Sequence, residues 1–114
     1  MELQFNLMEN GIRLIKLIGK LDTVGATEIE TRFSGCCTGD NVRVIVDLSE
    51  VDSLTSAGIR LITLTAKSIA RRCGKMALIN PVPQVQNVLE VTGIPETIPL
   101  YSQLESAETV LLPY

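Results

Sequence analysis

Between Asp47 and Gly58 the chain reads Asp-Leu-Ser-Glu-Val-Asp-Ser-Leu-Thr-Ser-Ala-Gly, which places four hydroxyls (Ser49, Ser53, Thr55 and Ser56) ahead of a glycine. An apolar run, Val42 to Val46, leads into this stretch, and an amphipathic segment, Ile59 to Cys73, leaves it. The pattern predicts a strand, a polar turn and the start of a helix. The first backbone amides of a helix have no intrahelical acceptor, and the aligned peptide dipoles make that end electropositive. A phosphate is held there without a dedicated arginine. A hydroxyl at this place can also carry a covalent phosphate of about −1.5 to −2 charges. Ala57 and Gly58 keep the surroundings small, so another protein could approach closely. The same spacing fits an ordinary cap, with Ser53 or Thr55 capping the helix and Ser56 filling its first turn. On spacing alone, that is the commoner arrangement.

Other polar residues bear on the same region. Asp22 follows a predicted strand, as Asp47 does. Parallel strands end on one edge, so Asp22 is expected near Thr55 and Ser56, either in a polar rim or as the cap of its own helix. Spacing favours the cap. Asp47 is expected to brace the turn through backbone amides. Arg60, Lys67 and Arg71, with Leu64 among them, form a stripe that suits an acidic partner or, more commonly, a solvated helix face. Catalytic constellations are missing. With no histidine in the chain, a His-based triad and a zinc site are excluded. There is no Walker pattern and no Gly-x-Gly-x-x-Gly, and the carboxylates form no spaced acid–base pair. Cys36, Cys37 and Cys73 match neither a zinc spacing nor a disulfide framework. The expectation is a protein that is not an enzyme and uses no cofactor and no metal.

The elements that must position the stretch follow from composition and periodicity. The 114 residues suit one domain, 1–114. Apolar residues make up 46% and aromatic ones 4%, so the core must be Ile, Leu and Val. A net charge of −3 gives no basic footprint for nucleic acid. No apolar run is long enough for a bilayer, and the start lacks a signal-peptide pattern, so the expected location is the cytoplasm, without membrane insertion. Leu3, Phe5 and Leu7 alternate with polar residues and predict a half-buried strand. Asn10-Gly11 is a hairpin signal, and the chain returns as a strand over 12–18. A helix is predicted over 24–36, with Ala26, Ile29, Phe33 and Cys36 or Cys37 inward. A central strand over 42–46 comes next. The following helix has Ile59, Ile62, Ala66, Ile69, Ala70 and Cys73 as its apolar face and ends at Gly74. A strand over 75–79 precedes a third helix, opened by Pro81 and Pro83, with Val85, Val88, Leu89 and Thr92 inward. A last strand is predicted over 97–100. The final helix is expected to be capped by Ser102 with Glu105, and packed by Leu104, Ala107 and Val110 or Leu111. The order β-β-α-β-α-β-α-β-α predicts an α/β fold, a mixed sheet with an N-terminal hairpin and parallel core strands.

With these residues in place, the chain resembles a STAS domain, the family of bacterial anti-sigma factor antagonists, over almost its whole length. Gly19-Lys20-Leu21-Asp22 resembles the family's Gly-x-Leu-Asp element. Asp47-Leu48-Ser49-Glu50-Val51, then Leu54, Ser56 and Gly58, match its central signature without gaps. Asn80-Pro81 with Val88 to Ile94 resembles a later Val-x-x-x-Leu-x-x-Thr-Gly-Leu region. Tyr101, Glu105 and Ala107 resemble its end. The resemblance implies partner switching. The unphosphorylated protein binds an anti-sigma factor that is also a serine kinase, phosphorylation of a serine at the start of the second helix breaks the complex, and a phosphatase restores it. The matching serine is Ser56. Thr55 stands where the family has an aspartate, and Ala57 where it has a second hydroxyl residue. Asp22, Thr55, Ser56, Ala57, Gly58 and Arg60 are the implied partner contacts, on a monomer or weak dimer. The Thr-Ser-Ala-Gly form also admits a different class of role, a constitutive STAS subunit of a transporter or scaffold complex that is not phosphorylated.

Overall fold

The computed structural model describes residues 1–111. The hairpin forms as expected. β1 (Glu2–Leu7) pairs antiparallel with β2 (Arg13–Leu21) across a turn closed by bonds from the Met8 amide to the Ile12 carbonyl and from the Gly11 amide to the Met8 carbonyl. Gly11 takes a φ of 87°, which is why glycine suits the position. From β2 onward the chain alternates: α1 (Thr23–Cys36), β3 (Arg43–Leu54), α2 (Ser56–Arg71), β4 (Lys75–Ile79), α3 (Pro83–Val91), the short α4 (Ile94–Thr97), β5 (Leu100–Tyr101) and α5 (Leu104–Leu111). The sheet runs β1-β2-β3-β4-β5, with β2 to β5 parallel and β1 the antiparallel edge. This is the mixed sheet with a parallel core that the alternation predicts.

Two layers of core flank the sheet. On one face Ile15, Leu17, Val44, Val46 and Leu48 pack with Phe33 of α1, Ile62 and Ile69 of α2, and Leu89 of α3. On the other face Ile12, Ile45, Ala77 and Ile79 pack against Ala107 and Leu111 of α5. Aliphatic side chains supply nearly all of both layers, with Phe33 the largest fully buried residue. Of the open alternatives, Cys37 and Leu111 are buried, while Cys36 is only half-buried and Val110 is exposed. Burial pushes the Cys37 thiol up to about 12, so it packs as an apolar side chain. No helix among the described residues is long and apolar enough to cross a membrane.

Several expectations are corrected. The central strand does not end at Val46. It continues to Leu54, so most of the stretch read as a polar turn is strand. Its pairing with β2 shifts twice: Lys16 faces Asp47 but Ile18 faces Glu50, and Gly19 faces Val51 but Lys20 faces Ser53. Each shift is an extra β3 residue, a β-bulge that resets which side chains point inward. Burial accordingly passes from Val44, Val46 and Leu48 to Val51 and Leu54, and the period-two signal is lost. The strand expected over 97–100 is instead α4 followed by the two-residue β5, because Gly93 at φ 77° and Pro95 in the first turn start a helix closed by the Ile98 amide on the Ile94 carbonyl. In α2 the buried residues are Gly58, Leu61, Ile62, Thr65 and Ile69, while Ala70 is exposed, and Cys73 lies beyond the helix end at Arg71 and is exposed as well. Thr92 is exposed, its hydroxyl donating to the Val88 and Leu89 carbonyls. The final helix begins at Leu104, one residue later than a Ser102 cap requires. On β1 only Leu3 is buried, and Phe5 and Leu7 stay 47% and 62% exposed.

Candidate functional site

One residue, Thr55, separates β3 from α2. Its backbone is extended, its amide donates to the Leu21 carbonyl at 3.1 Å, and its carbonyl accepts from the Ile59 amide at 3.0 Å. The Thr55 hydroxyl turns toward the sheet and donates to the same Leu21 carbonyl at 3.4 Å, so it gives the helix no side-chain cap. Ser53 lies within β3 and does not cap it either. Thr55 thus stands at the N-cap position and Ser56 in the first turn, as the spacing suggests, but no side-chain bond completes the cap. The first turn also holds no acidic residue. The start of α2 is an uncapped, electropositive helix terminus.

The four hydroxyls of the stretch now separate. Ser49 and Ser53 are half-buried in β3, Thr55 is half-buried against Leu21, and Ser56 is exposed at the first helical position. Asp47 accepts from the Ser49 amide at 2.9 Å and braces the first bulge. Ala57 is half-buried and Gly58 is buried. A Cβ on Gly58 would lie 2.6 Å from the Leu21 carbonyl oxygen and 2.9 Å from Leu54 Cδ1, so glycine permits the close approach of α2 to the ends of β2 and β3. That approach holds Ser56 outward on a rigid platform.

Asp22 caps its own helix. Its Oδ1 accepts from the Gly25 amide at 2.8 Å. The register pairs Leu21 with Leu54, so Asp22 and Thr55 leave the sheet side by side and the expected nearness holds. Asp22→Ala is expected to destabilise the fold by about 1 kcal/mol, while Asp22→Asn keeps most of the cap. Urea midpoints of both variants check this, and equal losses would show that charge rather than capping matters.

Arg60 is exposed one turn beyond Ser56. With Ala57, Leu61, Leu64, Ser68 and Arg72 it forms one wall of a groove of about 640 Å³, whose other wall is the Thr23, Thr27 and Glu30 side of α1. Thr23 and Thr27 carry no signal in the sequence as part of this surface. They reach it because both crossovers place α1 and α2 on the same face of the sheet. The structure thus brings Asp22, Thr55, Ser56, Ala57 and Gly58 to one end of the sheet, with Arg60 on the adjoining groove.

Comparison with known proteins bears on this arrangement. The family model for the STAS domain matches residues 8–107. BtrV of Bordetella bronchiseptica, provisionally named an anti-sigma factor antagonist, is 28% identical over 98 residues, covering 86% of this chain and 84% of that protein. The anti-sigma-F factor antagonist RsfB of Mycobacterium tuberculosis is 23% identical over 100 residues, covering 88% of this chain and 81% of that protein. An anti-sigma-factor antagonist (STAS) domain protein from Planctomyces limnophilus shares the fold at a TM-score of 0.84 and 24% identity, with 96% of this chain and 97% of that one covered.

Proposed function

The chain belongs to the STAS domain family, and on that premise we propose that it is an anti-sigma factor antagonist switched by phosphorylation of Ser56. Unphosphorylated, it binds an anti-sigma factor through the edge formed by Asp22, Thr55, Ser56, Ala57 and Arg60, with the buried Gly58 beneath them, and frees the sigma factor. The anti-sigma factor is also the serine kinase that modifies Ser56, and a phosphatase resets the switch. The protein catalyses nothing itself and works in the cytoplasm beside these partners. The relatives named as antagonists support the general role. The observation that carries the switch is the exposed Ser56 hydroxyl on a helix terminus with no cap and no carboxylate in its first turn. Thr55, in the place of the family's aspartate, removes a negative charge from beside the acceptor.

Incubation with the partner kinase and ATP, followed by mass spectrometry, tests the assignment. Wild type is expected to gain one phosphate on Ser56 and Ser56→Ala none. Equal phosphorylation of both, or of neither, overturns it. Pull-down from the native cell then separates roles: an anti-sigma factor is expected, whereas a transporter ATPase would turn the reading to a constitutive transporter subunit.

A further inference from the structure

The outer side of α2 carries charge that the fold does not use. Of the ten lysines and arginines, Arg13, Arg32, Arg43 and Arg72 donate to backbone carbonyls of other elements, and Lys16 pairs with Glu50. Among the other five, Arg60, Lys67 and Arg71 stand on α2, exposed and in no ion pair among the described residues. Ser56, Arg60, Leu64, Lys67 and Arg71 follow one another at intervals of four, four, three and four residues. At about 3.6 residues a turn they form one stripe, about 22 Å long. Every member is exposed, Leu64 by 53%. α2 holds no carboxylate, in a chain whose net charge is −3. Lys67 and Arg71, four residues apart, repel each other at a cost in helix stability. A merely solvated face would interleave its cations with acids.

We propose that this stripe seats an acidic helix of the anti-sigma factor. The inference rests on the antagonist reading and extends its contact surface away from the Ser56 edge. Recurrence at three and four residues is the spacing that a second helix lying along the first requires. Leu64, midway, is the apolar contact, and Arg60, Lys67 and Arg71 pair with carboxylates of the partner. The stripe borders the groove between α1 and α2, so the docked helix has a second wall to rest on. That wall presents Thr23, Thr27 and a single carboxylate, Glu30. The partner's carboxylates therefore lie over α2, and a neutral or basic residue faces Glu30. An anionic bilayer is the poorer match. An interfacial helix needs a broad apolar side beside its cations, whereas the apolar side of α2 is buried in the core and Leu64 stands alone on the stripe. The arrangement also gives Ser56 its leverage. It heads the stripe, so a phosphate of about −1.5 to −2 charges there faces the carboxylates of the docked helix and draws Arg60 away from them.

Calorimetric titration of the full chain with the anti-sigma factor tests the seat at positions well away from Ser56. Lys67→Glu combined with Arg71→Glu is expected to weaken binding at least about tenfold, and Leu64→Ala at least about threefold. All three positions are exposed, and circular dichroism should confirm an intact fold. Lys75→Glu changes the net charge as much as Lys67→Glu does, but it lies off the stripe at the start of β4. It is expected to leave the affinity within about twofold of wild type. Added salt should weaken wild type more than the double variant. Binding by wild type that the double variant retains overturns this inference and leaves the antagonist reading standing, whereas no binding by wild type overturns both. A loss with Lys75→Glu equal to that with Lys67→Glu reduces the effect to net charge and overturns the seat. So does binding to phosphatidylserine vesicles that the double variant loses while keeping its affinity for the anti-sigma factor, which would assign the stripe to a membrane.

Discussion

Gly58→Val is expected to lower the free energy of unfolding by about 3 kcal/mol. The first valine carbon meets obstacles that cannot all yield. It would sit 2.6 Å from the Leu21 carbonyl oxygen, 2.6 Å from Leu21 Cγ and 2.9 Å from Leu54 Cδ1. Leu21 and Leu54 are paired in the sheet, and the Leu21 carbonyl already accepts from the Thr55 amide and hydroxyl. Relief therefore comes from pushing the start of α2 outward. That movement strains the Thr55 bonds and withdraws Ile62 and Ile69 from the core they fill. Gly35→Ala is the control. Gly35 is exposed near the end of α1, and a Cβ there meets nothing within 4 Å. The extra methyl should stabilise the helix by about 0.5–1 kcal/mol. Urea denaturation of both variants reads the contrast. An unshifted midpoint for Gly58→Val would show that α2 is not pinned where its function needs it.

The contrast between these two glycines marks what sequence could reveal. Both look alike in the chain, and only the packing of α2 over Leu21 separates them. The alternation of strands and helices was legible because each element carries its own period, and the parallel sheet follows from crossover geometry. β3 resisted because its two bulges break the period at the point where polar residues also suggest a turn. Phe5 and Leu7 resisted for the opposite reason. Their alternation is regular, but burial depends on what lies over them, and α1 shelters Leu3 while leaving the rest of the edge open. At the site, Asp22 as a cap and Asp47 as a brace follow from local chemistry that the sequence displays. The turned-in Thr55 hydroxyl does not, because its acceptor, the Leu21 carbonyl, is 34 residues away in the chain. The family resemblance singles out Ser56 among the four hydroxyls, and the fold leaves it as the exposed one while Ser49, Ser53 and Thr55 are half-buried.

Phosphorylation of Ser56 is expected to leave the stability of the free protein within about 1 kcal/mol of wild type, while weakening its complex with the anti-sigma factor at least about 100-fold. The two readouts should diverge because the phosphate meets different surroundings in each state. In the free protein Ser56 is exposed, so the phosphate stays hydrated. It joins a helix terminus whose amides lack a side-chain cap and whose first turn carries no acid. Arg60 lies four residues on, at the spacing that makes helix side chains neighbours, and is exposed and free of any ion pair among the described residues. Nothing buried must move to admit the group. In the complex, a partner packed against Ser56 and Ala57 must strip water from about −1.5 to −2 charges. A hundredfold loss needs only about 2.7 kcal/mol, less than the cost of desolvating an imperfectly paired phosphate. Thermal melting of the two forms, with calorimetric titration of each against the anti-sigma factor, measures both effects. Equal affinities would sink the switch. A fall in affinity matched by a fall in melting temperature would place the effect in the fold rather than at the interface. Arg60→Ala should then distinguish local pairing from the helix terminus: if Arg60 shares the phosphate, the variant loses stability only in the phosphorylated form.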